Sequence, residues 1–244
     1  MLVFDIDDTL YDLCEPYREA VHEIFDGRYD GIIEQLFLSC RSYSEGLFED
    51  VTKGRMSKEE YYATRNRYAF RDAGILISDE KALEIQHCYQ EKQTHLRLPA
   101  CITELLQILK DRGTPAGIVS NGMSAPQWKK AEILQLTKWI PKEQIVISGD
   151  AGYAKPDIRI FETAAAKFGI SPEEGWYVGD LYQNDIAPSK KAGWHAVWLN
   201  RRRHPLPQEG PRPDALVYSE EELVRWVREH IEKVTMGTVP VVTF

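Results

Sequence analysis

From Gly113 onward the chain alternates between short apolar runs and helix-like stretches, and this rhythm constrains its fold more than any other feature. The runs are Ala116–Ser120, residues 144–148, Trp176–Gly179, residues 196–199 and residues 215–218. Between them lie stretches of helical character over residues 125–136, 157–168 and 185–192. Asp157 and Gly169 read as the N-cap and stop of the second stretch, and Gly193 as the stop of the third. Ser171-Pro172-x-Glu174 is a capping box with proline at the first helical position. Ser219-x-x-Glu222 caps a last helix that reaches His230. Strands that are apolar throughout, rather than on alternate residues, are buried on both faces, and helical crossovers between them require parallel pairing. The expected fold class is therefore α/β, a doubly wound, Rossmann-like parallel sheet.

Leu2-Val3-Phe4 supplies one more strand at the start of the chain. The region from about Asp12 to His95 then breaks the rhythm. It contains no convincing strand and reads as helices throughout, with Ser57-x-x-Glu60 and Ser78 as start signals. Pro99 opens the helix that returns the chain to the core. The predicted organisation is an α/β core formed by residues 1–12 and 97–244, interrupted after its first strand by an all-helical insertion over residues 13–96. Tyr17, Tyr43, Tyr61, Tyr62, Tyr68 and Phe70 read as the core of that insertion, and Arg41, Arg65, Arg67 and Arg71 as its solvated surface. The basic, proline-rich segment 201–213, including Arg201–His204, reads as a solvated loop. The tail, residues 234–244, is apolar enough to pack on the core or a partner.

Thirty basic residues against 38 acidic ones leave a net charge of −8. That argues against nucleic acid polymers and anionic membranes as partners. No run approaches the roughly 18 apolar residues needed to span a bilayer, and no basic region with an apolar core marks an export signal. Cys14, Cys40, Cys88 and Cys101 lack C-x-x-C spacing and read as reduced thiols, so the expected location is cytoplasmic. A monomer or homodimer is expected.

Polar residues with chemical capability follow the apolar runs directly. Asp5 and Asp7 follow the first, Ser120-Asn121-Gly122 the second, Lys155-Pro156 the third, and Asp180 with Asp185 the fourth. In an open α/β sheet, ligands bind beyond the carboxyl ends of the strands, so these residues plausibly share one site. Four carboxylates close together repel one another, and a hard divalent cation with oxygen ligands, Mg²⁺, resolves that repulsion. Lys155 adds positive charge, and Ser120 with the amides at the following helix start can hold an anion. A nucleophile, a metal and an anion cradle suit phosphoryl transfer.

Asp5-x-Asp7-x-Thr9, Ser120, Lys155-Pro156 and Gly179-Asp180-x-x-x-Asn184-Asp185, in this order and each after an apolar strand, resemble the four motifs of the haloacid dehalogenase-like hydrolases. The resemblance implies an Mg²⁺-dependent phosphatase acting on a small-molecule phosphate ester. Asp5 would be the nucleophile that becomes an aspartyl-phosphate, and Asp7 the general acid and base. Thr9, Ser120, Asn121, Gly122 and Lys155 would hold or neutralise the phosphoryl group. Asp5, the Asp7 carbonyl and Asp180 would bind the metal, with Asp185 acting through water or by orienting its shell. The helical insertion resembles the family's mobile cap. Dehalogenases of the family lack an acid at the position of Asp7, so Asp7 favours phosphate esters. A phosphomutase on the same core, or a binding or scaffold protein on a retired core, are the alternatives.

Overall fold

The structure is a computed structural model and describes residues 1–236. The chain divides into two compact units, Met1–Asp12 together with the chain from Arg97, and Leu13–Leu96.

The first unit is built on a six-stranded sheet. Its strands are β1 (Leu2–Phe4), β2 (Ala116–Ser120), β3 (Ile145–Ile147), β4 (Trp176–Gly179), β5 (His195–Leu199) and β6 (Ala215–Val217). All pair in parallel, in the order β3-β2-β1-β4-β5-β6. This is the doubly wound arrangement anticipated above, and its topological switch point falls at β1. Every residue of β1 is completely buried, which is why three residues suffice for a central strand. Register aligns Phe4 with Ile118 on one side and Val178 on the other. Residues just past the carboxyl ends of β1, β2 and β4 are thereby neighbours.

Both units carry helices. We label those of the insertion α1 (Cys14–Phe25), α2 (Ile33–Thr52), α3 (Lys58–Asp72) and α4 (Asp79–Lys92). Those of the sheet unit are α5 (Ala100–Asp111), α6 (Ser124–Ile133), α7 (Ser148–Ala151), α8 (Arg159–Phe168), α9 (Ala187–Lys191) and α10 (Glu220–Met236). On one face Val3, Val119, Val146 and Tyr177 pack with Ile160, Phe161 and Ala164 of α8 and with Trp194. Pro99 stands at the N-cap of α5 as expected, and Gly169 closes α8 in the left-handed region at φ +68°.

Three local expectations need revision. Asp157 does not cap α8 directly; its carboxylate accepts the Arg159 N–H two residues on, a local turn after Pro156, and α8 starts at Arg159. The capping box at Ser171 forms, but around a single 3₁₀ turn, Pro172–Glu174, because the strand β4 begins at Trp176. The helix expected over residues 185–192 starts as a π-turn, Tyr182–Ile186, before α9. Pro188 lacks an N–H and so cannot continue the ordinary ladder back to Asn184.

The second unit is helical throughout. Tyr17, Phe37, Phe70 and Tyr89 interlock at its centre with Val21, Ile33 and Leu36. Ser57 and Ser78 accept the backbone N–H of Glu60 and Lys81, so both predicted starts are capped. Arg65 is not a solvated residue: it is sandwiched against Tyr61 and Tyr62 and donates to Gln86 and Ser44. Residues 237–244, most of the apolar tail, lie outside the described residues.

Candidate active site

The turn after β1 sets the site. Asp5 is held at the strand end by its N–H to the Val178 carbonyl, 2.9 Å away in β4. The chain then reverses, with Thr9 and Leu10 N–H both directed at the Ile6 carbonyl. Asp8 stands in this reversal at φ +62°, a conformation that costs a residue with a side chain and needs support. Support comes from Arg202, which donates 3.1 Å and 2.8 Å bonds to the two Asp8 carboxylate oxygens and also pairs with Asp12. Arg201 reaches the Asp8 carbonyl and pairs with Glu220. The expectation of a solvated loop at Arg201–His204 is thus wrong for its first two residues, which anchor the loop that carries Asp5 and Asp7.

Four charged groups converge at the adjacent strand ends. Carboxylate oxygens of Asp5, Asp180 and Asp185 all lie within 4.8 Å of one another, and all three residues are buried. The Lys155 ammonium sits among them, 3.0 Å from Asp5 and 2.6 Å from Asp185. Apart from this ion pair, Asp5 Oδ1 is buried without a hydrogen-bond partner. Asp185 is fixed further by the Leu181 N–H at 2.9 Å. Its fit requires Gly179: a Cβ there would stand 2.4 Å from that of Asp185. The Asp180 main-chain carbonyl accepts from the Trp198 indole at 2.8 Å.

Electrostatics follow from burial. Loss of water is the largest influence on Asp5; Lys155 opposes it, Asp185 and Asp7 reinforce it, and the carboxyl is pushed up to about 6. Burial also works against the charge on Lys155, but Asp185 and then Asp5 outweigh it and hold the ammonium above its ordinary range. Asp7 behaves differently from Asp5. Burial raises it, but Lys130, Tyr11 and Gln127 prevail and hold it below the usual carboxylate range.

Ser120 ends β2 beside Asp5, and both its hydroxyl and that of Thr9 are buried without a hydrogen-bond partner. The Ser120 oxygen, at the carboxyl end of β2, marks a place for a ligand. Asn121 and Gly122 have other partners here. The Asn121 amide makes a two-way clamp with the Lys155 main chain, 2.8 Å in each direction, and so fixes the loop that delivers the lysine. The Gly122 N–H donates to Ser148 Oγ at 2.9 Å. Gly122 at φ +153° leaves no room for a side chain, since a Cβ would meet Gln127 at 2.6 Å.

Several residues of the site escaped the sequence reading. Tyr177, inside the apolar run of β4, accepts from Lys155 at 2.8 Å and donates to the Val119 carbonyl at 2.7 Å. Lys130 and Gln127 of α6, with Tyr11, surround the Asp7 carboxylate. The available signal was their spacing: residues three apart on a helix share a face, and this helix starts just after Ser120.

The three carboxylates present only oxygen donors in a buried pocket, with Asp5 Oδ1 lacking a hydrogen bond, and this set fits a hard divalent cation. The arrangement joins buried carboxylates, a fixed cation and an unpartnered hydroxyl, which suits a hydrolase working on an anionic centre.

The family model for haloacid dehalogenase-like hydrolases matches residues 1–193, and the chain belongs to this family. It is 36% identical over 212 residues to the glyceraldehyde 3-phosphate phosphatase of Pyrococcus furiosus, covering 82% of this chain and 80% of that one. It is 27% identical over 243 residues to the phosphoserine phosphatase of Thermus thermophilus, covering 89% and 94%. The crystal structure of the putative HAD-hydrolase YfnB of Bacillus subtilis, described as bound to magnesium, shares the fold with a TM-score of 0.67 at 23% identity, covering 93% of this chain and 97% of that one. The named phosphatases among these relatives support a phosphoric monoester hydrolase. Among the described residues, no helix is long and apolar enough to cross a membrane.

Proposed function

We propose that this chain is an Mg²⁺-dependent phosphatase that hydrolyses a small phosphorylated metabolite through an aspartyl-phosphate on Asp5. The observation that carries the reading is the meeting of Asp5, Asp180 and Asp185, two of them paired with Lys155, at the sheet edge where Ser120 ends β2 with a buried, unpartnered hydroxyl. Asp5, Asp180 and the Asp7 main-chain carbonyl would hold the ion, with Asp185 acting through water. The ion supplies neutralisation of the carboxylate and phosphoryl charges.

Asp5 attacks phosphorus; its oxygen forms the new P–O bond as the ester P–O bond breaks in line. The departing oxygen takes a proton from Asp7. Water then attacks the aspartyl-phosphate, Asp7 takes the proton back, and phosphate leaves with Asp5 restored. Lys155 offsets the charge of Asp5 and of the phosphoryl oxygens, and the Ser120 hydroxyl binds one of those oxygens. Asn121 keeps Lys155 in place through its main chain. We assign the helical unit, Leu13–Leu96, the part of the family's cap because it enters the chain directly after the strand that carries Asp5.

The test is hydrolysis of an aryl phosphate with Mg²⁺ and with chelator, followed by acid quenching and peptide mass analysis. The expected result is metal-dependent phosphate release and a phosphoryl group on the peptide containing Asp5. Turnover that survives Asp5→Asn refutes the mechanism.

A further inference from the structure

The carboxylate of Asp7 is saturated with donors. Lys130 Nζ lies 2.8 Å and 2.6 Å from its two oxygens, Gln127 Nε2 donates at 2.9 Å, and the Tyr11 hydroxyl at 2.5 Å. The Asp7 and Lys130 side chains are only 18% and 17% exposed, so the pair is largely withdrawn from bulk water. In the proposed reaction, one Asp7 oxygen must turn to the leaving-group oxygen at hydrogen-bond distance. Lys130 must then surrender that contact. A largely buried ammonium that loses its counter-ion is strongly disfavoured unless another anion replaces it.

We propose that Lys130 is the specificity residue of this site and that the substrates it selects are phosphate esters whose leaving group carries a carboxylate a short carbon chain away from the ester oxygen. The inference rests on the phosphatase reading above and names its substrate class. Geometry sets the span. With the ester oxygen about 3 Å from an Asp7 oxygen, Lys130 Nζ 2.6 Å from that carboxylate and a substrate carboxylate about 2.8 Å from Nζ, the two substrate groups lie at most about 8 Å apart. A short carbon chain bridges that distance. Lys130 changes partner from Asp7 to the substrate, and Asp7 is released toward the leaving group by the substrate that needs it. Gln127 donates to Asp7 and, at 2.6 Å, to the Asn121 carbonyl, so it can hold the acid in position while Lys130 moves. Neutral esters leave Lys130 on Asp7, and cationic ones meet it with like charge.

Three two-carbon esters that differ only in charge decide the matter: phosphoglycolate, 2-hydroxyethyl phosphate and phosphoethanolamine. For the wild-type protein with Mg²⁺, kcat/KM should favour phosphoglycolate over the neutral ester by at least about tenfold, with phosphoethanolamine the poorest. Lys130→Met should collapse that ratio toward one, Lys130→Arg should keep it, and Lys130→Glu should turn it toward phosphoethanolamine. The comparison is between substrates within one protein, so it survives a general loss of rate. If Lys130→Met fails to fold, the wild-type series and Lys130→Arg still decide. Equal use of the three esters, or a preference that survives Lys130→Met, overturns this inference alone. Absence of turnover for all of them, and for an aryl phosphate, overturns the phosphatase reading with it.

Discussion

Asp5→Asn should make the metal-free protein more stable at neutral pH while abolishing catalysis. Burial pushes the Asp5 carboxyl from an ordinary 3.8 up to about 6. A folded-state value above the unfolded one means that the unfolded chain gives up this proton first. Stability is therefore lost as pH rises from near 4 to near 6, and the loss is complete above that window. At about 1.4 kcal/mol per pH unit, the gap corresponds to about 3 kcal/mol. Asparagine carries no charge to bury, and Lys155 keeps Asp185 at 2.6 Å as its partner. The variant should thus exceed wild type by roughly 1–3 kcal/mol at pH 7.5 in chelator, the range reflecting the bond partners lost with the carboxylate. The two proteins should converge near pH 4, where Asp5 is protonated. All six tryptophans, Trp128, Trp139, Trp176, Trp194, Trp198 and Trp226, belong to the unit that contains Asp5, so urea unfolding followed by their fluorescence reports on that unit. With a slope of about 2 kcal/mol/M, the midpoint should rise by about 0.5–1.5 M. A variant less stable than wild type at pH 7.5 in chelator, or a difference that does not change with pH, would refute the charge argument.

Mg²⁺ at about a hundredfold over its dissociation constant should stabilise the wild type by about 2.7 kcal/mol, more above pH 6 than below it, and Asp180→Asn should lose most of this in a thermal-shift titration. Lys155→Met leaves two buried carboxylates, Asp5 and Asp185, without their ammonium and should cost about 3–5 kcal/mol in chelator, partly recovered with Mg²⁺; a cost below about 1 kcal/mol in urea unfolding would contradict the arrangement. Arg202→Met strips buried Asp8 of its bidentate partner and should cost about 3 kcal/mol by the same measurement. Adding Asp8→Gly to it should restore part of that, because glycine accepts the φ of +62° and brings no charge.

Motifs at strand ends were legible because two simple rules act together. Apolar runs buried on both faces form parallel strands, and polar residues after them collect at one edge of the sheet. That logic pointed to Asp5, Ser120, Lys155, Asp180 and Asp185 without any distance in hand. The same logic could not see Lys130, more than one hundred residues from Asp7 in the chain, because its contact depends on how α6 is rotated over the β1 turn. Arg202 was misread for a related reason. A basic, proline-rich segment looks like surface, and only the path of the chain after β5 brings it onto Asp8 and Asp12. Arg65 shows the same limit inside the helical unit, where its guanidinium is flanked by tyrosines.

The sequence by itself determined the fold class, the family and the presence of an acidic hydrolase centre, since periodicity and motif order are local properties of the chain. The tertiary structure alone decided how the two acids of the first turn differ. Asp5 is buried between β2 and β4, and loss of water, reinforced by Asp185 and Asp7, raises its proton affinity against the pull of Lys155. Asp7, two residues on, has passed beyond the strand end and meets a cation of its own in Lys130. Their residue types are identical, and solvent exclusion and charge partners, which arise only on folding, set them apart.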